Sequence, residues 1–197
     1  RDDAAGEAFD KGAQLLGLEF PGGPAVDRLA RQGNPTTIAF PRSYLKHGSH
    51  DFSFSGLKTA LLYRLQAMDE QSRVANVADL AAGYQEAIVS VLVEKSFTAV
   101  RSSGARALAV VGGVSANSRL RALLQARATS ESLQLSLPPL SYCTDNAAMI
   151  AAAGRQALCA GFRASWDMDA QASLSCSSSL SGLSGSFRST KHTRQTE

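Results

Sequence analysis

The sequence is poor in cysteine, in charge of one sign and in long apolar runs, and each shortage excludes a class of protein. Three cysteines without CxxC spacing cannot form a full disulfide framework or a cysteine-only zinc site, and they favour a reducing, cytoplasmic compartment. Lysine and arginine number 20 against 17 aspartates and glutamates, too small an excess for a protein that coats nucleic acid by charge alone. No stretch reaches the roughly 18 uninterrupted apolar residues that a membrane span requires, so we expect no membrane partner.

Several motifs of nucleotide-binding proteins and hydrolases are also absent. The sequence contains no GxGxxG fingerprint, no GxxxxGK[ST] loop, no GxSxG elbow and no HExxH pair, which argues against Rossmann, P-loop, Ser-His-Asp and zincin chemistry. No two of the three histidines, His47, His50 and His192, have the spacing of a His-x-x-x-His pair. His47 and His50 are three residues apart in a polar loop and could hold a metal only with further ligands, so we expect them to be surface residues.

The first predicted elements are helical. Asp2 to Leu16 carries apolar residues at helical spacing. Pro21-Gly22-Gly23-Pro24 predicts a turn, followed by a short helix from Pro24 to about Arg31. The chain begins with Arg1 rather than Met, inside the first helical pattern, and we expect it to be the second half of a longer protein.

The middle of the sequence contains two short runs of aromatic and β-branched residues before two helical patterns. Thr36 to Phe40 and Asp51 to Phe54 predict a hairpin or a strand pair. Ser55 opens a helix that reaches about Met68. Val77 to Val100 has the longest amphipathic pattern and predicts a long core helix.

Alternating strand and helix patterns follow. Ala107 to Val111 is continuously apolar, which is typical of a strand buried on both faces, and Ser118 to Ala128 is helical. Leu133 to Leu137 predicts a second strand, and Thr144 or Asp145 is expected to cap a helix that ends near Ala160. This order predicts an α/β layer with parallel strands.

Composition divides the chain near residue 175. Residues 1–175 are expected to form the folded body, in which Trp166 to Ser175 is a candidate for a last strand. Residues 176–197 are rich in serine, and we expect them to form a disordered, mildly basic tail.

The strongest candidate site follows the first predicted strand. Gly112 and Gly113 end this strand and Asn117 precedes a helix, so bare amides and an amide side chain fall at the carboxyl edge of the sheet, where open α/β folds bind ligands. The structural alternative is a tight turn that requires glycine, with Asn117 as the helix cap.

Two other candidates consist of carboxylates. Asp145 follows the second strand and could bind a divalent metal or cap the next helix. Asp10 and Asp27 flank the glycine pair that contains Gly23, which suits hydroxyl groups plus a backbone contact. The structural alternative is a pair of ordinary helix acids. We expect Asn117 and Asp145 to face a common cleft.

Five stretches together resemble the TsaD family of tRNA threonylcarbamoyladenosine transferases, long called O-sialoglycoprotein endopeptidases. They occur in the family's order and extend the resemblance from Asp2 to about Leu174. The stretches are DDAAGEAFDK from Asp2, PGGP from Pro21, DFSFSGLKT from Asp51, GGVSAN from Gly112 and YCTDNAAM from Tyr142.

This resemblance implies a fold, a reaction and a set of site residues. The fold is α/β of the actin-like ATPase, sugar kinase and Hsp70 type, of which this chain supplies mainly the second lobe. The reaction moves the threonylcarbamoyl group of threonylcarbamoyl-AMP to N6 of the adenosine next to the anticodon, in tRNAs that read codons beginning with A. By motif, Asp10, Gly23, Asp27 and Asn117 bind the nucleotide part, and Asp145 ligates a divalent metal, iron or zinc. No covalent nucleophile is implied, since the mixed anhydride is already activated.

The sequence departs from the family at the metal site. The family's other two ligands form a His-x-x-x-His pair, which this sequence lacks, as it lacks the first-lobe phosphate segment. We therefore expect this chain alone to be inactive and the full-length parent to be active. The resemblance implies tRNA, a scaffold paralogue and a small ATPase as partners.

Three alternative functions remain open. The first is a non-catalytic scaffold paralogue of the same fold, against which Asp145 argues. The second is a metallopeptidase, as the older family name implies. The third is an ATPase or sugar kinase, since a fold alone does not decide function.

Overall fold

The protein is described by a computed structural model that covers residues 3–42, 49–163 and 165–166. It divides into two compact units, Arg1–Asp145 and Asn146–Glu197. The predicted tail, 176–197, and all but the first residue of the possible last strand lie outside the described residues, so these expectations stay predictions.

The described residues form mainly helices. Those of the first unit are α1 (Ala5–Leu15), α2 (Gly22–Ala30), α3 (Ser55–Gln66), α4 (Glu70–Ser103) and α5 (Ser118–Ser130), with two short strands, β1 (Ala107–Ala109) and β2 (Gln134–Ser136), and two 3₁₀ turns, Gly113–Ala116 and Leu140–Tyr142. The second unit contains α6 (Ala147–Cys159).

The long helix α4 is the centre of the core, as its amphipathic pattern predicted. It begins earlier than predicted because the Asp69 side chain accepts a hydrogen bond from the Ser72 amide at 2.7 Å and so caps the helix. It ends where Gly104 adopts the left-handed conformation, with φ of 66°. The buried Tyr84 hydroxyl donates to the Ala8 carbonyl oxygen at 2.8 Å, which fixes α1 against α4. Burial raises the pKa of Tyr84, so this hydroxyl stays a donor.

The segment before α3 is not the predicted strand pair. No strand occurs among the described residues of Thr36 to Phe40 and Asp51 to Phe54. Ile38 instead packs onto α4, where a Cβ on Gly83 would lie only 1.9 Å from the Ile38 carbonyl oxygen. Ile38, Phe40 and Phe54 are buried in the core that the helices form, and this packing replaces the pairing that their β-type pattern suggested.

The two strands pair in parallel, as predicted, with Leu108 opposite Leu135. Both are shorter than predicted, and the expectation that the first is buried on both faces is wrong. Leu108 is half-buried, its neighbours Ala107 and Ala109 are exposed, and Val111 is 76% exposed. In the described part of the chain each strand has one strand neighbour, and this small sheet leaves alternate side chains uncovered.

The second unit is described by its helix α6, whose cap differs from the prediction. Asn146, rather than Thr144 or Asp145, precedes the helix in an extended conformation and accepts a hydrogen bond from the Met149 amide at 3.0 Å. The sequence offers three capping residues in a row, and the chain uses the one whose side chain reaches the amide three residues later.

The fold class is therefore mainly helical, with a small parallel sheet. This composition of elements agrees with an α/β layer, although two strands do not by themselves establish the actin-like superfold. Among the helices of the described ranges, none is long and apolar enough to cross a membrane.

Candidate functional site

A cleft of about 540 Å³ opens in the first unit. Its walls are α1, the beginning and one face of α2, the 3₁₀ turn Gly113–Ala116 with the following residue, and Thr144. The four residues predicted to bind substrate, Asp10, Gly23, Asp27 and Asn117, all line this cleft. Chain segments that are about one hundred residues apart in the sequence thus meet at one place.

The wall between α1 and α2 depends on the glycine pair. The Gly22 amide donates to Asp10 Oδ1 at 2.8 Å, and a Cβ on Gly22 would lie 2.6 Å from the Asp10 Cα. Around Gly23, by contrast, a Cβ would meet nothing within 4 Å. The helix begins at Gly22 rather than at the predicted Pro24, since Asp10 satisfies an amide for which the helix has no acceptor and Pro24 is tolerated in the first turn.

Asp27 ties α2 to the start of α5. Asp27 is 6% exposed, and its Oδ1 accepts from the Ser118 amide at 3.2 Å and from the Ser118 hydroxyl at 2.7 Å. Oδ2 accepts from Arg31 Nη2 at 2.7 Å. A buried carboxylate requires such partners, and its position at the N-terminus of a helix is also favourable electrostatically.

Asn117 lies at the corner between the 3₁₀ turn and α5 and is 7% exposed. Its Oδ1 accepts from the Leu120 amide at 2.9 Å, and its Nδ2 donates to Gln85 Oε1 at 2.6 Å. Gly112 has φ of 91°, which favours glycine. The structural alternative, a glycine turn with Asn117 as the helix cap, is therefore confirmed. The role of Asn117 in ligand binding stays a prediction.

Four charged side chains of the described residues line the cleft. Asp10 and Asp27 contribute two negative charges, and Arg28 and Arg31 contribute two positive charges. Arg31 is paired with Asp27, whereas Arg28 is paired at 2.5 Å with Glu19. Because Glu19 offsets the charge of Arg28, the carboxylates of Asp10 and Asp27 suit a ligand with hydroxyl groups, and Arg31 reduces their repulsion of a phosphate.

Sequence reasoning did not select several residues that lie in or near the cleft. Arg31 follows Asp27 by four residues on one helix, and this i,i+4 spacing could have revealed the pair. Gln85 and Thr144 come from distant segments, and no local pattern links them to the glycine turn.

Asp145 is exposed and does not line the cleft, although the adjacent Thr144 does. The residues that the structure describes include no group of three or more His, Cys, Asp or Glu side chains able to hold a metal ion. One exposed carboxylate does not fit a divalent ion, which takes four or more ligands. His50 is exposed, as predicted, and His47 lies outside the described residues.

Comparison with known proteins identifies the family. The family model TsaD, tRNA N6-adenosine threonylcarbamoyltransferase, matches residues 1–152. A relative with that name from Anaeromyxobacter dehalogenans (strain 2CP-1 / ATCC BAA-258) is 56% identical over 171 residues, 86% of this chain and 51% of the relative. Relatives of the same name from Magnetococcus marinus and Thermotoga neapolitana are 54% and 51% identical, and in each case the match covers 78% of this chain.

These matches cover 44% of the Magnetococcus relative and 46% of the Thermotoga relative, so the chain spans about half the length of the curated relatives that it matches. The matched region contains the entire cleft and all five predicted site residues. On this similarity, the chain belongs to the TsaD family.

Proposed function

We propose that this chain supplies the nucleotide-binding cleft of a tRNA N6-adenosine threonylcarbamoyltransferase. The observation that carries the proposal is the convergence of Asp10, Gly23, Asp27 and Asn117 on one cleft of about 540 Å³. These are the residues that the family motifs assign to the nucleotide. A volume of this size is within the usual range for small-molecule sites.

The proposed reaction begins with threonylcarbamoyl-AMP, which is a mixed anhydride. The N6 amine of the tRNA adenosine attacks the carbamoyl carbon and forms a C–N bond. The bond from this carbon to the phosphate oxygen breaks, AMP leaves with the electron pair, and the amine loses a proton. Because the donor is already activated, the protein contributes by holding the two substrates in a reactive orientation rather than by forming a covalent intermediate.

The cleft residues have distinct parts in this binding. Asp10 and Asp27 carry carboxylate oxygens that can accept hydrogen bonds from ribose hydroxyls, and both are held in place by backbone amides. Asn117 can donate and accept, which suits an adenine edge or a ribose. Gly23 presents backbone without a side chain, and Arg31 offsets the negative charge that would otherwise repel the phosphate.

The metal, the partners and the compartment are parts of the same proposal. We assign Asp145 as one ligand of a divalent metal ion, iron or zinc, although the described residues do not complete that site. tRNA and threonylcarbamoyl-AMP are the proposed substrates, and a scaffold paralogue and a small ATPase are the proposed protein partners, in the cytoplasm.

The proposal is tested with the intact natural protein. It is incubated with threonylcarbamoyl-AMP and an unmodified tRNA anticodon stem-loop, and modified adenosine is measured by mass spectrometry after digestion to nucleosides. We expect product with the wild-type protein and much less with Asn117→Ala. The control Gln125→Ala alters an exposed residue on α5 outside the cleft and should retain full activity.

The alternative functions predict different experimental results. A scaffold paralogue would bind its partner transferase and form no product when supplied with both substrates. A metallopeptidase would cleave a glycoprotein at specific sites. Absence of modified adenosine under conditions in which a related transferase is active would refute the proposal.

A further inference from the structure

We propose that Gln85 is a positioning residue, which fixes the orientation of the Asn117 amide in the wall of the cleft. This inference rests on the proposed function, because it concerns the nucleotide affinity of that cleft. Gln85 lies on α4, 32 positions before Asn117, and no family motif quoted above contains it.

The polarity of the hydrogen bonds determines how Asn117 is oriented. The backbone amide of Leu120 can only donate, so the side-chain oxygen of Asn117 must face it, at 2.9 Å. The Asn117 Nδ2 must then point to Gln85, which presents its Oε1 at 2.6 Å. The amide cannot flip without losing both hydrogen bonds.

Burial makes this interaction costly to lose. Gln85 is 4% exposed and Asn117 is 7% exposed, and both lie where α4 packs on α5. An unpaired amide N–H in such a place loses its hydrogen bonds to water without a replacement and is destabilising. With both hydrogen bonds made, Asn117 has one further N–H and one further lone pair for a ligand, and Gln85 sets their direction. Loss of the Gln85 acceptor therefore leaves the Asn117 side chain held only by the hydrogen bond from the Leu120 amide, about which its Nδ2 can swing.

The test measures the affinity of the intact protein for adenosine 5′-monophosphate by isothermal titration calorimetry. Gln85→Met removes the acceptor with little change in size, and we expect affinity to fall about tenfold. Gln85→Glu keeps an oxygen at the same place and should restore affinity to within about threefold of wild type. Gln125→Met is the matched control on an exposed helix face and should bind normally.

A double-mutant cycle with Asn117→Ala separates positioning from general destabilisation. If Gln85 acts through Asn117, Gln85→Met causes no further loss of affinity in the Asn117→Ala background. Losses that add in the double variant would overturn the inference, as would normal affinity in Gln85→Met. Circular dichroism checks that each variant is folded. If Gln85→Met does not fold, Gln85→Asn gives the same test because its shorter side chain cannot reach Asn117.

Failure of the inference can be distinguished from failure of the proposed function. Weak binding by Asn117→Ala together with normal binding by Gln85→Met overturns only the role of Gln85. Absence of adenosine 5′-monophosphate binding by the wild type, or full affinity in Asn117→Ala, overturns the assignment of the cleft and the role of Gln85 with it.

Discussion

The two adjacent glycines at the start of α2 should respond in opposite ways to the same substitution. Both occupy the first turn of one helix, and neither has a left-handed φ, so alanine is compatible with the backbone at each position. A Cβ on Gly22 would lie 2.6 Å from the Asp10 Cα and 2.7 Å from the Ala13 Cβ. A Cβ on Gly23 would meet no atom within 4 Å.

The magnitude follows from these distances. Relief of the contacts at Gly22 requires α1 and α2 to separate by about 1 Å, and overpacking of this kind costs about 1–3 kcal/mol. The separation also breaks the 2.8 Å hydrogen bond from the Gly22 amide to Asp10, which contributes about 1.5–3 kcal/mol because the acceptor is charged. Gly22→Ala should therefore lower the free energy of unfolding by roughly 2.5–6 kcal/mol. Gly23→Ala should leave it unchanged or raise it by up to about 1 kcal/mol through helix propensity.

The assay is urea denaturation of the intact protein, followed by circular dichroism at 222 nm, with calorimetry of adenosine 5′-monophosphate binding in parallel. Gly23→Ala should retain stability but bind the nucleotide less well, since its methyl group enters the cleft. Equal stability of the two variants would refute the packing of α1 against α2 described above.

Three further predictions concern the rest of the first unit. Tyr84→Phe removes the buried hydroxyl that donates to Ala8, and urea denaturation should show a loss of about 1 kcal/mol. The hydrogen bond from the Ser72 amide lowers the pKa of Asp69 in the folded protein. The Asp69 carboxylate therefore stabilises the fold fully above its ordinary pKa of 3.8, and this stabilisation is lost as the pH falls through the lower pKa of the folded protein. The urea midpoints of Asp69→Ala and wild type should thus differ at pH 7, and the difference should shrink as the pH falls below 3.8. Arg121 donates to two backbone carbonyl oxygens at 2.9 Å through different nitrogens, so Arg121→Lys should lower the thermal unfolding midpoint. A variant that unfolds at the same temperature as the wild type would show that these two hydrogen bonds contribute nothing to stability.

The helices were predictable because their signals are local. Apolar spacing identified α1, α3, α4 and α5 and left errors mainly at the ends, where capping side chains decide. The short run from Thr36 to Phe40 was misread as a strand. Its burial depends on Gly83, which lies more than forty residues later and admits the Ile38 carbonyl oxygen next to α4.

The candidate site was predictable in part. The motifs selected Asp10, Gly23, Asp27 and Asn117, and these residues line one cleft. The contacts that hold them were not predictable, since the partner of Asn117 is a glutamine on α4. The spacing of residues within one segment gives no indication of such a pairing.

The amino-acid sequence by itself determined the helical segments, the parallel pairing and the family, because each depends on residues close together in the chain or on motifs in a fixed order. The tertiary structure alone decided that Asp27 is buried against the start of α5 and that Gln85 accepts a hydrogen bond from Asn117. These properties depend on how closely α2, α4 and α5 approach one another, and that approach is set by packing between segments rather than by any one segment.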